Sequence, residues 1–202
     1  MTEKFYLFAK RVFDLILASV VLFISFPFFV FFSIAIKLDS KGGVFYRAKR
    51  TGKNSRVFKM YKFRSMFENA DKIKIFSTSE DDSRITKIGK IIRKYKIDEI
   101  PQLMNILKGE MSFVGPRPEV PYYTSMFKGE EKDILSIKPG FTDFASVKFR
   151  NEAELLKGSD NPDKAYEELI RPEKIRLQLK YMQKRNFWLD IKIVLKTISK
   201  VL

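Results

Sequence analysis

The chain has 202 residues, with 39 Lys or Arg against 24 Asp or Glu, and so a net charge of +15. It contains neither histidine nor cysteine, which excludes disulfides, thiolate or imidazole metal sites, and Ser-His or Cys-His catalysis. Acid–base or nucleophilic work falls to a carboxylate, a lysine or a metal, and the charge calls for a polyanionic partner: nucleic acid, an anionic membrane or a phosphorylated substrate.

Leu15 to Ile36 runs without a charge and is long enough to cross the ~30 Å hydrocarbon core of a bilayer. No small-residue cleavage site follows, so it does not read as a signal peptide that is removed. Pro27 lies inside the run, where it deletes an intrahelical hydrogen bond and kinks the helix. Both flanks are basic, with Lys4, Lys10 and Arg11 before and Lys37, Lys41, Arg47, Lys49 and Arg50 after. Such flanks hold both ends in the cytoplasm. A re-entrant helix, entering and leaving by one membrane face, satisfies both facts; a kinked spanning helix is the alternative. Ser25 is placed to bond a carbonyl freed at the kink, and Lys10 and Asp14, four apart, to pair on one helix face.

Val44-Phe45-Tyr46 and Val57 to Phe63 are rich in β-branched and aromatic residues, with a Thr51–Ser55 turn between them, and predict a hairpin. Period-2 alternation puts Lys62 and Arg64 on one strand face. Two cations there either hold a diphosphate or form a solvated basic surface. Residues 68–83 predict a short helix and a loop, and Thr86 to Lys96 a helix with a basic face.

Lys96-Ile97-Asp98-Glu99-Ile100-Pro101 then sets two adjacent carboxylates in this basic chain. A proline is tolerated in a first helical turn, so a helix is predicted from Asp98 to Leu107, with Asp98 at or beside the N-cap and a stop at Lys108-Gly109. Asp98 is a cap residue, or it is an ionised carboxylate serving a phosphate site as nucleophile or metal ligand. In Gly115-Pro116-Arg117-Pro118 the flanking prolines leave Arg117 little backbone freedom. That aims its guanidinium at a phosphate or at a nearby acid.

Pro121 to Leu135 predicts helix, Lys138 to Thr142 a turn, and Phe144 to Arg150 a strand or extended loop. A helix start follows at Asp160–Asp163, then a basic helix over Pro172 to Arg185. In the last segment Trp188, Ile191, Leu195, Ile198 and Leu202 form an apolar stripe opposite Lys192, Lys196 and Lys200. Such a helix lies in a membrane interface or docks on the core.

The acidic pair, the short apolar helix and Lys108-Gly109-Glu110-Met111-Ser112-Phe113-Val114-Gly115-Pro116-Arg117-Pro118 together resemble the bacterial sugar transferases, small monotopic phosphoglycosyl transferases that act on polyprenol phosphate. Lys10, Arg11, Phe13, Asp14 and Pro27 match that family's broken helix, although Phe26 stands where it has serine. Tyr61 to Met66, Arg150 and Asn151 also match, whereas Asp143, Phe144 and Ser146 depart. The resemblance implies that Asp98 attacks the sugar-bearing phosphorus of a UDP-sugar, releasing UMP, and that polyprenol phosphate then takes the phosphosugar. It implies Asp98 and Glu99 as catalytic residues and ligands of Mg²⁺, and Lys62, Arg64, Arg117 and Arg150 as substrate contacts. Lys10, Arg11, Ser25 and Pro27 anchor the chain in the membrane. The oligomeric state stays open.

The expected fold is α/β in the α+β sense and mostly helical, with an N-terminal re-entrant membrane helix, a small β-hairpin and C-terminal amphipathic interfacial helices. Residues 1–40 form the inserted helix, 41–170 a catalytic domain facing the cytoplasm at the bacterial inner membrane, and 171–202 the interfacial helices. A basic membrane-surface scaffold is the alternative function. A nucleic-acid binder is disfavoured by the uncharged run and the lack of an aromatic RNA-binding motif.

Overall fold

The apolar N-terminal run folds as one helix. In the computed structural model, which describes residues 2–70 and 75–201, α1 spans Glu3–Asp39, and its composition and length suffice to cross a membrane. Phe23, Phe26 and Phe31 in its middle are exposed. Ser25 donates to the Leu22 carbonyl at 3.3 Å, one residue before the Phe23 carbonyl whose donor Pro27 lacks. The two flanks of α1 are fastened to the rest of the protein. Near the start, Tyr6 and Lys10 donate to Asp190, Arg11 donates to the Ile106 and Leu107 carbonyls, and Asp14 accepts from the Phe113 amide. The Lys10–Asp14 pair does not form, because each side chain finds a buried partner elsewhere. At the other end Asp39 accepts from the Ile88 amide.

β1 (Phe45–Thr51) and β2 (Val57–Phe63) form the expected antiparallel hairpin, in register from Phe45 opposite Phe63 to Thr51 opposite Val57. Asn54 and Ser55 take left-handed backbone in its turn. The reading of residues 68–83 falls partly on 71–74, outside the described residues; the described part is largely turns, bends and irregular chain, flanked by an isolated bridge from Met66 to Ile85. α2 (Lys87–Lys94) follows, its N-terminus capped by Thr86. The single helix predicted from Asp98 to Leu107 is two pieces: a 3-10 segment, Ile97–Gln102, and α3 (Leu103–Lys108), closed by Gly109 at φ 82°. Pro101 has no N–H to continue an α pattern backwards, so the tighter turn precedes it.

Three further expectations are corrected. Gly140–Thr142 is not a turn but a strand, β4, pairing in parallel with β3 (Ser112–Val114). A Cβ on Gly140 would lie 2.1 Å from the Gly115 nitrogen, so this approach needs glycine. Residues 144–150 are not extended: α5 (Phe144–Lys148) forms because the Asp143 carboxylate caps the Ser146 amide at 2.6 Å. The helix expected over 121–135 breaks into α4 (Pro121–Ser125) and a 3-10 stretch, Gly129–Ser136. Short helices α6 (Glu152–Leu155) and α7 (Pro162–Ala165) lead through a π turn, Tyr166–Ile170, into α8 (Arg171–Lys184), then α9 (Phe187–Val201).

One core joins Ala18 of α1, Ala48 and Met60 of the hairpin, Leu103 and Ile106 of α3, Phe113 and Val114 of β3, Tyr181 of α8, and Ile193 and Val194 of α9. α9 therefore docks by one face, while Trp188, Leu195 and Ile198 remain exposed on it. Leu202, the end of the expected stripe, lies outside the described residues.

Candidate active site

Two carboxylates lie side by side because the chain turns sharply between α2 and the 3-10 segment. Lys96, and not Asp98, is the N-cap, and it takes a left-handed conformation with φ 57° and ψ 21°. Asp98 and Glu99 follow in the first turn, only 4% and 8% exposed. Lys62 of β2 reaches them: its ammonium is 3.0 Å from Glu99 Oε1 and 3.7 Å from Asp98 Oδ2. Arg117 Nη2 donates to the same Glu99 oxygen. The structure thus brings together Asp98, Glu99, Lys62 and Arg117, drawn from three separated stretches of chain.

The two acids differ electrically. Burial pushes the Asp98 carboxyl above the ordinary range; Lys62 opposes the shift and Glu99 adds to it. For Glu99 the same burial is outweighed by Arg117 and Lys62, which hold it well below the ordinary range. Glu99 is therefore a fixed anion that organises two cations. Asp98 is a buried carboxylate with Lys62 at 3.7 Å, and its charge stays costly until a further cation arrives.

Buried polar residues that the sequence pattern did not mark hold this geometry. Asn105 of α3, fully buried, accepts from the Tyr61 amide and donates to the Lys59 carbonyl, both at 2.9 Å. It fastens β2, and hence Lys62, to the helix that follows the acidic pair. Asp143, also fully buried, accepts from the Arg117 amide at 3.3 Å while capping α5. Position 143, where the chain departs from the family pattern, therefore helps to set the Arg117 loop. An Asp-x-x-Ser spacing was the available signal for that cap.

Arg64 is not brought to the carboxylates. β2 ends at Phe63, and Arg64 turns to the end of α1, donating to the Ile36, Ser40 and Lys41 carbonyls. The Ser40 and Lys41 carbonyls lie just beyond the end of α1, and the Ile36 carbonyl also accepts from the Ser40 amide at 3.3 Å. Arg150 lines the same cleft as the acidic pair but makes no ion pair among the described residues. The cleft has a volume of about 2220 Å³, and its wall includes Leu17 and Val21 of α1 and Ile198 of α9.

Among the described residues no three His, Cys, Asp or Glu side chains gather to hold a metal. Glu99 is already bound to Lys62 and Arg117, which leaves Asp98 as the open carboxylate. Mg²⁺ commonly takes one or two carboxylates and completes its shell with substrate phosphates and water. The pair fits a Mg²⁺ that arrives with a phosphorylated ligand, and it is not a dedicated cage.

The fold and site define a class: an α+β domain tied to an apolar helix, with buried carboxylates and fixed cations in one cleft. The chain belongs to the bacterial sugar transferase family, whose model matches residues 5–202. It is 35% identical, over all of its length, to a UDP-N-acetylgalactosamine-undecaprenyl-phosphate N-acetylgalactosaminephosphotransferase of Aeromonas hydrophila, covering 45% of that protein. Over 95% of its length it is 37% identical to an undecaprenyl-phosphate glucose phosphotransferase of Komagataeibacter xylinus, covering 35% of it. The exopolysaccharide production protein ExoY of Rhizobium meliloti is 33% identical over 96% of this chain and 85% of its own length. The chain thus spans less than half of the first two relatives.

Proposed function

We propose that this protein transfers a phosphosugar from a UDP-sugar to a membrane polyprenol phosphate, starting the assembly of a glycan or polysaccharide. The observation that carries the reading is the pair Asp98 and Glu99, buried together under Lys62 and Arg117 in a cleft walled partly by α1. Asp98 Oδ attacks the sugar-bearing phosphorus, the P–O bond to the uridine phosphate breaks, and UMP leaves. An acyl phosphosugar on Asp98 remains. An oxygen of the polyprenol phosphate then attacks that phosphorus and Asp98 departs as a carboxylate. Mg²⁺, when bound through Asp98 and Glu99, offsets diphosphate charge. Glu99 keeps Lys62 and Arg117 in place to face the non-bridging oxygens, and Arg150 supplies a further phosphate contact from the cleft wall.

The test is UMP release by the purified protein with undecaprenyl phosphate and a panel of UDP-sugars. Mg²⁺-dependent release is expected for at least one donor, limited to about one equivalent of enzyme with donor alone and continuing only when undecaprenyl phosphate is present; none with any donor would leave the scaffold reading. Arg117 gives a finer test. Its planar fork is bound to Glu99 and aimed at the cleft, and a lysine cannot copy that geometry. Arg117→Lys is expected to lower kcat/KM by the equivalent of roughly 1–3 kcal/mol. An unchanged kcat/KM would make the loop merely structural.

The proposed setting is the bacterial inner membrane, with residues 1–40 inserted re-entrantly, 41–170 carrying the chemistry on the cytoplasmic side, and 171–202 laying the bare stripe of α9 on the interface. Support comes from α1 itself: its two flanks, held through Arg11 and Asp39, are fastened to the same body, while one side of its apolar middle, with Phe23, Phe26 and Phe31, is bare. A helix that crossed the ~30 Å core would put those flanks on opposite sides. Lys10 and Arg11 anchor one flank, and Ser25 and Pro27 mark the bend. Replacing Pro27 with leucine restores an N–H and favours a straight, spanning helix. A single cysteine at Thr2 is expected to resist an impermeant reagent on intact cells and to be labelled in part in the Pro27→Leu background. Full labelling of Thr2→Cys alone would establish an ordinary transmembrane helix.

A further inference from the structure

The cations near Asp98 differ in what they already hold. Lys62 and Arg117 are bound to Glu99, and Arg64 to the end of α1. Lys96 lines the same cleft two residues before Asp98, and its charge acts on both Asp98 and Glu99. Its ammonium makes no hydrogen bond or ion pair among the described residues. Its backbone is left-handed, a conformation that favours glycine or asparagine over a long side chain. What the position supplies is therefore the side chain and not an easy turn.

Lys96 also enters the site from a different wall. It follows α2, whose buried Ile92 packs with Ile36 of α1 and with Phe63, and whose Ile88 amide is held by Asp39. α2 therefore starts beside the end of the apolar helix and finishes beside Asp98. Lys90 and Lys94 line the cleft along it, exposed and without a carboxylate partner among the described residues. An anionic headgroup on a lipid lying at that end of α1 meets a row of ammonium groups without carboxylate partners among the described residues, Lys94 lying over the Tyr95 ring at 5.8 Å, that ends at Lys96.

We propose, on the basis of the phosphosugar-transfer reading, that Lys96 binds the monophosphate of the lipid acceptor beside Asp98. Its task belongs to the second half-reaction. The acceptor's phosphate oxygen forms a bond to the phosphosugar phosphorus, and the acyl bond to Asp98 breaks. A dianionic monophosphate and a singly charged intermediate give a doubly charged diphosphate and a carboxylate, so charge balances with no proton transferred. Lys96 offsets the repulsion between the two phosphates as they meet.

The experiment separates the half-reactions. The UMP burst on mixing enzyme with UDP-glucose or UDP-N-acetylgalactosamine alone reads the first, and steady-state kcat/KM for undecaprenyl phosphate reads the second. Lys96→Asn keeps a residue suited to left-handed backbone and removes the charge. Its burst is expected to match wild type while kcat/KM for undecaprenyl phosphate falls about 10- to 100-fold, the range for one charge-assisted hydrogen bond. Lys96→Arg is expected to stay within a few-fold of wild type. Lys96→Gly removes the backbone strain entirely and keeps the test decisive if the asparagine variant folds poorly. A lost burst would put Lys96 on the donor side and overturn the proposal, as would an unchanged kcat/KM for the lipid. A wild-type protein with no burst from any donor would remove the underlying reading and this one together.

Discussion

Asp98→Asn is expected to abolish turnover while leaving the protein at least as stable as wild type. Removing a nucleophile that forms the covalent intermediate costs on the order of 10⁴–10⁶-fold in kcat. The stability half follows from the direction of the Asp98 shift. Burial raises its folded pKa above the ordinary value, so above that pKa the ionised carboxylate costs folding energy that the protonated form does not. A neutral isostere removes this cost, although it also gives up the attraction to Lys62. Thermal melts of the variant should therefore match or exceed wild type near neutral pH. Mass spectrometry of wild type mixed with donor alone should show a phosphosugar on the peptide containing Asp98, and the variant should show none. A variant with near-wild-type rates would eliminate the covalent mechanism.

The parts of the fold visible in the sequence are those whose local chemistry agrees with their environment. The hairpin was legible because aromatic and β-branched runs flank a turn with Gly52 and Asn54, and β1 and β2 meet in that register. The pairing of Arg117 with the acidic pair was legible as one of two readings, because prolines on both sides aim the side chain wherever the loop is set. Arg64 lines the cleft yet bonds away from the carboxylates, for an identifiable reason. Alternation assigns it a face only while the strand lasts, and carbonyls at and just beyond the end of α1 capture it one residue later. β4 was hidden because a three-residue strand beginning with glycine carries too little pattern to outweigh Pro139-Gly140 as a turn. Asn105 and Lys174 were hidden differently. Each looks like an ordinary polar position on a helix, and only the packing of distant segments shows it to be buried.

Lys174→Met is expected to be the most destabilising single change outside the apolar core. Lys174 sits in a basic helix where a solvated charge would be unremarked, yet it is 5% exposed. Its ammonium is 3.0 Å from Glu119, 3.1 Å from Glu152 and 3.1 Å from the Tyr166 hydroxyl, which itself donates to Glu119 at 2.8 Å. Methionine fills the same space without the charge and leaves two acids facing each other in a largely buried pocket. Breaking such a pair costs roughly 3–5 kcal/mol, or on the order of 10 °C in Tm for a chain of this size. Glu119→Gln added to Lys174→Met removes one of the stranded charges and should recover part of the loss. The pH dependence has a definite sign. Burial works against the Glu119 charge, but Lys174 and the hydrogen bonds hold its folded pKa below the ordinary value. Its contribution is present above the unfolded carboxylate range and is lost as pH falls through the depressed folded value. Lys174 is held well above its ordinary value by the same acids, against the cost of burial, so its share is present below the unfolded lysine pKa and is lost as pH rises through the folded one. Wild type therefore keeps the full contribution between those limits. In Lys174→Met the largest opposition to the raising effect of burial on Glu119 is gone, leaving the Tyr166 hydroxyl and the Arg50 charge, and the variant gains relative stability as the acids protonate. The Tm gap between the two should be wide at pH 8 and narrower at pH 5; equal melting at both would show the cluster to be energetically neutral. Activity should fall with stability, because the Glu119 carbonyl holds the Thr51 amide at 2.9 Å and Glu119 lies two residues beyond Arg117. A loop that loses this anchor loses the aim of the guanidinium that faces Glu99.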